Sequence, residues 1–234
     1  MNYDFKYIEF ELNLEQKKKI ESLFDVLVNE AKPLGFIARA DTSVLWYRHI
    51  IDSLLPLNLK EVRAVFSANK QVYDLGTGAG LPGLLLAIAF SDVQFRLIDS
   101  SQKKISFIDN ICNHLDLQNV KALCHFIEKE ENKKSADVIV NRAFQRPLVM
   151  LELSLAFLRE HAKILYWRSQ PFDTSEAVKV RLGKMGFHAT YLKLGDFTEL
   201  GQRGCYLFSY DMKNNKYPRP LKVIKKDPLS NSTL

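Results

Sequence analysis

Between Val72 and Phe90 the chain reads VYDLGTGAGLPGLLLAIAF, with Gly76, Gly78, Gly80 and Gly83 set between two apolar runs. No other stretch constrains the fold as strongly. So dense a cluster of glycines cannot continue a strand or a helix. A chain carries one where its backbone turns sharply and something comes close to it. The run from Gln71 to Leu75 reads as a strand, and Pro82 suits the first turn of a helix reaching Phe90.

Strand, glycine turn and helix open a βαβ unit, and the alternation continues. Strands are expected over Val93 to Asp99, Val120 to Phe126, Ala136 to Phe144 and Ala162 to Trp167. Helices are expected over Lys103 to His114, Leu148 to Glu160 and Ser175 to Met185. The last two strands, near His188 to Leu194 and Gly204 to Tyr210, adjoin without a helix and should pair antiparallel. Repeated βαβ units imply a mostly parallel sheet with helices on both faces. Ahead of them, Ile20, Leu23, Phe24, Leu27 and Val28 mark a helical stripe. Thr42 to Leu55 reads as a second helix, capped by Asp41 or Thr42 and stopped by Pro56. The chain divides into a helical extension (1–68), an α/β domain (69–212) and a basic tail (213–234).

Composition narrows the setting. With 47% hydrophobic and 26% charged residues the chain can bury a core in water. The apolar run Leu84 to Phe90 is too short to span a bilayer. The opening MNYDFKYIEFELNLEQKKK has no signal-peptide core. Cys112, Cys124 and Cys205 lie far apart, which suggests neither a zinc site nor a disulfide framework. A cytoplasmic, metal-free protein without a membrane partner is expected. Net charge is +6, concentrated in the tail as Lys213, Lys216, Arg219, Lys222, Lys225 and Lys226 against Asp227. Such a segment either follows a phosphate backbone, with Arg219 and Lys225 as contacts, or simply faces water.

In an open α/β sheet ligands lie beyond the carboxyl ends of the strands, which is where the glycines are. Gly78-Ala-Gly80-Leu-Pro-Gly83 satisfies the dinucleotide pattern, with Asp99 placed to hold a ribose. Asp74, two residues before Gly76, points elsewhere: a carboxylate there suits a cofactor with a cationic end, such as S-adenosylmethionine, better than a pyrophosphate. Asp99 serves either cofactor. The expected fold is therefore the Rossmann-like fold of S-adenosylmethionine-dependent methyltransferases, with a seven-stranded sheet. A nicotinamide-dependent oxidoreductase is the competing reading.

These motifs also carry a resemblance. RHIIDSL (Arg48 to Leu54), YDLGTGAGLPG, RLIDS (Arg96 to Ser100), NRAF (Asn141 to Phe144), KYPR (Lys216 to Arg219) and DPL (Asp227 to Leu229) resemble, in this order, the small-subunit ribosomal RNA methyltransferase G family. The resemblance implies methyl transfer from S-adenosylmethionine to N7 of a guanosine in the 530 loop of 16S rRNA. It implies cofactor contacts at Gly76, Gly78 and Leu81, at Asp99 and Ser100 for the ribose, at Ile127 and Glu128 for the adenine, and at Arg142. Arg48, His49 and Arg168 join Arg219 and Lys225 as candidate substrate contacts. The bland readings are an i,i+4 pair of Arg48 with Asp52, a packed His49, and a core Trp167. Where the family has Asn-Leu-Thr this chain has Gly35, Phe36 and Ile37. Where it has Leu-Lys-Gly this chain has Trp167, Arg168 and Ser169, and Leu221 to Ile224 replace a glycine-and-proline segment. A homologue that binds ribosomes without catalysis, and a methyltransferase with another substrate, are alternatives. Guanine N7 carries a free lone pair, so no general base is expected. The protein is expected to act as a monomer.

Overall fold

The computed structural model describes residues 3–127, 134–142, 146–171, 175–211 and 217–231. Seven strands form one sheet: β1 (Gln71–Leu75), β2 (Gln94–Asp99), β3 (Val120–Cys124), β4 (Ala136–Asn141), β5 (Leu158–Trp167), β6 (Phe187–Phe197) and β7 (Gly201–Tyr210). Their order is β3-β2-β1-β4-β5-β7-β6. All neighbours are parallel except at β7, which runs antiparallel to both β5 and β6. The direction of strand addition reverses between β1 and β4, so their carboxyl ends frame a crevice.

Alternating side chains divide the core. Val72, Val138, Val140 and Leu165 face one layer, which holds α1 (Leu14–Val26), α5 (Gly83–Ala89) and α6 (Gln102–His114). Tyr73, Ile139, Ile164 and Tyr166 face the other, with α7 (Pro147–Ser154), α8 (Glu176–Met185) and α9 (Leu221–Lys226). Every residue of α5 is buried, because it is roofed by the N-terminal helices. Asn13 and Gln16 cap α1 reciprocally, and the Gln16 amide also donates to Ile88 O and Ala89 O. One side chain thus serves the start of α1 and the open carbonyls ending α5.

The second N-terminal helix is composite. α2 (Thr42–Leu45) widens into a π-helical turn over Trp46–Ile51, then α3 (Asp52–Leu54) and a 3-10 turn over Leu55–Asn58. The helix expected over Leu148 to Glu160 stops early. After Ser154 the chain tightens into i→i−3 bonds (Leu155 N to Glu152 O, Ala156 N to Leu153 O, Phe157 N to Ser154 O), and Leu158 already begins β5. The left-handed His161 (φ 61°) accompanies the register shift that lets β5 extend past Ala162 towards its amino end.

The described part of the tail is packed. Ile224 is fully buried, and the Arg219 fork grips both oxygens of Glu152 at 2.7 Å while pairing with Asp227 at 2.8 Å. Asp227 also pairs with Arg181 of α8. Glu152 is 1% exposed, so removing its partner strands a buried charge. Arg219→Ala is therefore expected to lower unfolding stability by about 3 kcal/mol in urea melts, and Glu152→Gln by less. Deleting residues 213–234 would damage the fold for the same reason, so it cannot isolate any RNA-binding role.

Candidate active site

The glycine loop leaves β1 and doubles back over its end. Gly76, Gly78 and Gly80 have positive φ (71°, 63° and 93°), where L side chains are strained. Gly83 is glycine for a different reason: a Cβ would lie 2.8 Å from Asp74 Oδ2 and 2.9 Å from Leu97 Cγ. Asp74 is buried, and its Oδ2 accepts from Thr77 Oγ1 (2.7 Å) and Gly83 N (2.9 Å). The sequence suggests Asp74 as partner for a cationic ligand group, but these contacts make it the pin that shapes the loop. Burial pushes its carboxyl up to about 7, against the pull of Thr77 and Gly83.

Hydrogen bonding discriminates between the two cofactor classes. Gly76 N and Thr77 N donate to Ile98 O, Gly80 N and Leu81 N to Thr77 O, and Gly78 N to Asp99 Oδ2. With Gly83 N on Asp74, most of the loop's amides are already engaged, and a carboxyl group stands at the start of α5. That is a poor dinucleotide cradle. S-adenosylmethionine, with a neutral ribose and a methionyl end of net positive charge, asks for fewer donors than a doubly charged pyrophosphate. A Cβ on Gly78 would meet nothing within 4 Å, so the loop leaves open space above itself. Asp99, ending β2, lies beside that space; its carboxylate also accepts from Ser101 N (3.0 Å) and pairs with Lys104 at 3.4 Å. Ser100 is exposed next to it. Leu81 and Ile127 are largely buried. Glu128, Ala143 and Phe144 lie outside the described residues, as do Lys213 and Lys216. Lys225 is exposed on α9.

Across the crevice, Arg142 follows the last residue of β4. Its Nη1 donates to Ser53 Oγ and to His49 O (3.3 Å); its Nη2 donates to Arg48 O (2.8 Å) and His49 Nδ1 (3.0 Å). Asp52 faces it at 3.6 Å and accepts from Arg203 Nε at 2.7 Å. Asp52 thus bridges two arginines, one just past β4 and one on β7, in place of the helical pair with Arg48. The wider π-helical turn supplies the reason, since it breaks the i,i+4 phase through Arg48. Trp167 Nε1 donates to Asp52 O at 3.0 Å, fastening β5 to the same turn. Next to this hub Asp52, Arg142, Trp167, Arg168, Ser169 and Arg203 line part of an open cavity of about 410 Å³. Asn141 Nδ2 donates to Leu75 O, linking the carboxyl ends of β4 and β1.

The structure brings together Asp74, Gly76, Gly78 and Asp99 on one side of the crevice, and Arg48, His49, Arg142 and Arg168 around the other. It ties Arg219 to α7. Arg203 is a site residue the sequence reading lacks: a single arginine in the sequence GQRG, joined to Asp52 across 151 positions, gives no local signal. Among the described residues no cluster of His, Cys, Asp or Glu could hold a metal ion, and no helix is long and apolar enough to cross a membrane.

A family model described as rRNA small subunit methyltransferase G matches residues 16–191. Curated relatives named ribosomal RNA small subunit methyltransferase G align over nearly the whole chain. The Mycoplasma capricolum protein is 25% identical over 97% of both chains. That of Trichodesmium erythraeum is 28% identical over 95% of this chain and 90% of its own. Among solved structures, a proposed O-methyltransferase of Klebsiella pneumoniae superposes with a TM-score of 0.54 at 16% identity, covering 87% of this chain and 93% of its own. That likeness concerns the fold.

Proposed function

The chain belongs to the rRNA small subunit methyltransferase G family, and on that premise we propose that it methylates N7 of a guanosine in the 530 loop of 16S rRNA, in the cytoplasm. S-adenosylmethionine supplies an activated methyl group. The observation that carries this reading is the two-sided crevice: a glycine loop with Asp99 on one side, and an arginine-rich cavity anchored by Arg142 on the other. Gly76, Gly78 and Leu81 shape the cofactor side, Asp99 with Ser100 accepts the ribose hydroxyls, and Ile127 flanks the adenine. Arg168 and Arg203 give the opposite cavity the positive charge that an RNA backbone requires.

No residue need remove a proton. The N7 lone pair attacks directly, so the protein's work is alignment of acceptor and methyl group. His49, the one imidazole at the hub, suits this division. Burial first, then Arg142 and Arg48, push it down to about 4, and its Nδ1 is held by Arg142. It is neutral at physiological pH and has no lone pair to offer from Nε2.

The test is transfer of labelled methyl from S-adenosylmethionine to small ribosomal subunits isolated without this modification. Label in 16S rRNA, absent with large subunits, supports the reading; label on protein alone defeats it. Asp99→Ala is expected to weaken cofactor binding about 100-fold, close to 3 kcal/mol for two hydrogen bonds to a carboxylate. Titration calorimetry of the full-length protein measures it.

A further inference from the structure

The hub fixes more than the position of His49. A guanidinium has only donors, so at the 3.0 Å contact Arg142 Nη2 donates and His49 Nδ1 accepts. The ring proton therefore resides on Nε2. The neighbouring cations, Arg142 and Arg48, disfavour a second proton. Nε2–H makes no hydrogen bond among the described residues, and the side chain is only half-buried. Packing holds the rest: His49 O accepts from both Arg142 and Ser53 Oγ (2.6 Å), so the residue is held through backbone and ring alike. A single neutral donor of fixed tautomer thus stands beside Arg142, which also lines the substrate-side cavity.

Guanine presents N7 and O6 on one edge, both acceptors, whereas adenine presents N7 beside an N6 donor. Resting on the reading that guanine N7 accepts the methyl group, we propose that His49 Nε2–H donates to O6 of the target base. His49 then selects guanine over adenine and sets N7 in line with the methyl group. An adenine would bring its N6 donor against the Nε2 donor. A neutral ring also suits the chemistry, because the purine gains positive charge as N7 is alkylated and an imidazolium would oppose it. Arg142 acts here as a positioning residue that fixes the tautomer.

The test uses full-length protein and unmodified small subunits, with kcat/KM and S-adenosylmethionine affinity measured separately. His49→Asn keeps an acceptor near the Nδ1 position but cannot reach O6. It is expected to lose about 30-fold in kcat/KM, the cost of one unmade hydrogen bond in the site, with cofactor affinity unchanged. His49→Gln restores a donor at the Nε2 position and should recover part of the loss. Subunits reconstituted with 2-aminopurine at the target keep N7 but lack O6. On them wild type and His49→Asn should perform alike, as a double-mutant cycle requires for a direct contact. Equal activity of His49→Asn and wild type on guanosine would overturn the proposal, as would a full loss that persists on 2-aminopurine. Methylation by the wild type at an atom other than N7 would overturn the reading beneath it, and that outcome is visible without any variant.

Discussion

Gly83→Ala is expected to abolish measurable cofactor binding and to cost about 3 kcal/mol of stability, whereas Gly78→Ala should abolish binding at a cost of about 1 kcal/mol. The two substitutions act through different causes despite the glycines' proximity in sequence. A methyl group at Gly83 would press on Asp74 Oδ2 at 2.8 Å and Leu97 Cγ at 2.9 Å, with the whole of α5 buried behind it. Relief requires Asp74 to swing away, which surrenders its bonds from Thr77 Oγ1 and Gly83 N and leaves a buried carboxyl unpaired. The loop loses its pin and the core its fit. At Gly78 nothing lies within 4 Å of the added atom. The protein pays only for the positive φ, but the methyl group occupies the space over the loop that the cofactor needs. Urea unfolding and calorimetric titration separate the outcomes. Equal stability losses at both positions, or retained binding in Gly78→Ala, would contradict this account of the loop.

The second large effect concerns the hub. Arg142→Ala is expected to lower stability by about 3 kcal/mol and to reduce methyl transfer by at least about 1000-fold. The side chain satisfies Arg48 O, His49 O, Ser53 Oγ and His49 Nδ1 together and faces Asp52. Without it the polar ties that remain among these are those of Arg203 and Trp167, which reach Asp52, the residue after the turn, from β7 and β5. Arg142→Lys keeps the charge but not the fork, and should recover less than half of the lost stability. Amide exchange over residues 42–58 gives an independent readout: it should accelerate in Arg142→Ala while the β1–β2 amides stay protected. An unaltered exchange pattern would show that the N-terminal helices do not depend on this arginine.

What the sequence makes legible follows the distance over which each interaction is encoded. The glycine turn, the strand before it and the acid ending β2 are short-range patterns, and they appear where periodicity and turn chemistry put them. The hub is encoded at long range. Arg142 reaches carbonyls 94 and 93 positions earlier, and the intervening π-helical turn displaces Arg48 from Asp52 in a way no helical wheel anticipates. Asp74 reads in the sequence as partner to a cationic ligand group, and nothing local announces that Thr77 and Gly83 also donate to it. Arg219 looks like one more cation in a basic tail until Glu152, an acid hidden inside an apolar helix, is seen to need it. The early end of α7 is a tightening into i→i−3 bonds after Ser154, which hydrophobic patterning does not register.

On the proposed function, the crevice between β1 and β4 delivers a methyl group to guanine N7. The most direct test is to locate that group at nucleotide resolution in 16S rRNA, after incubating unmodified small subunits with the full-length protein and S-adenosylmethionine. N7-methylated guanine is weakly held to its ribose after reduction, so the backbone can be cleaved there and the position read. One cleavage is expected, at a guanosine of the 530 loop, lost in Gly78→Ala and reduced in Asp99→Ala. Methyl groups incorporated without such a cleavage, or cleavage outside that loop, would contradict the proposed function.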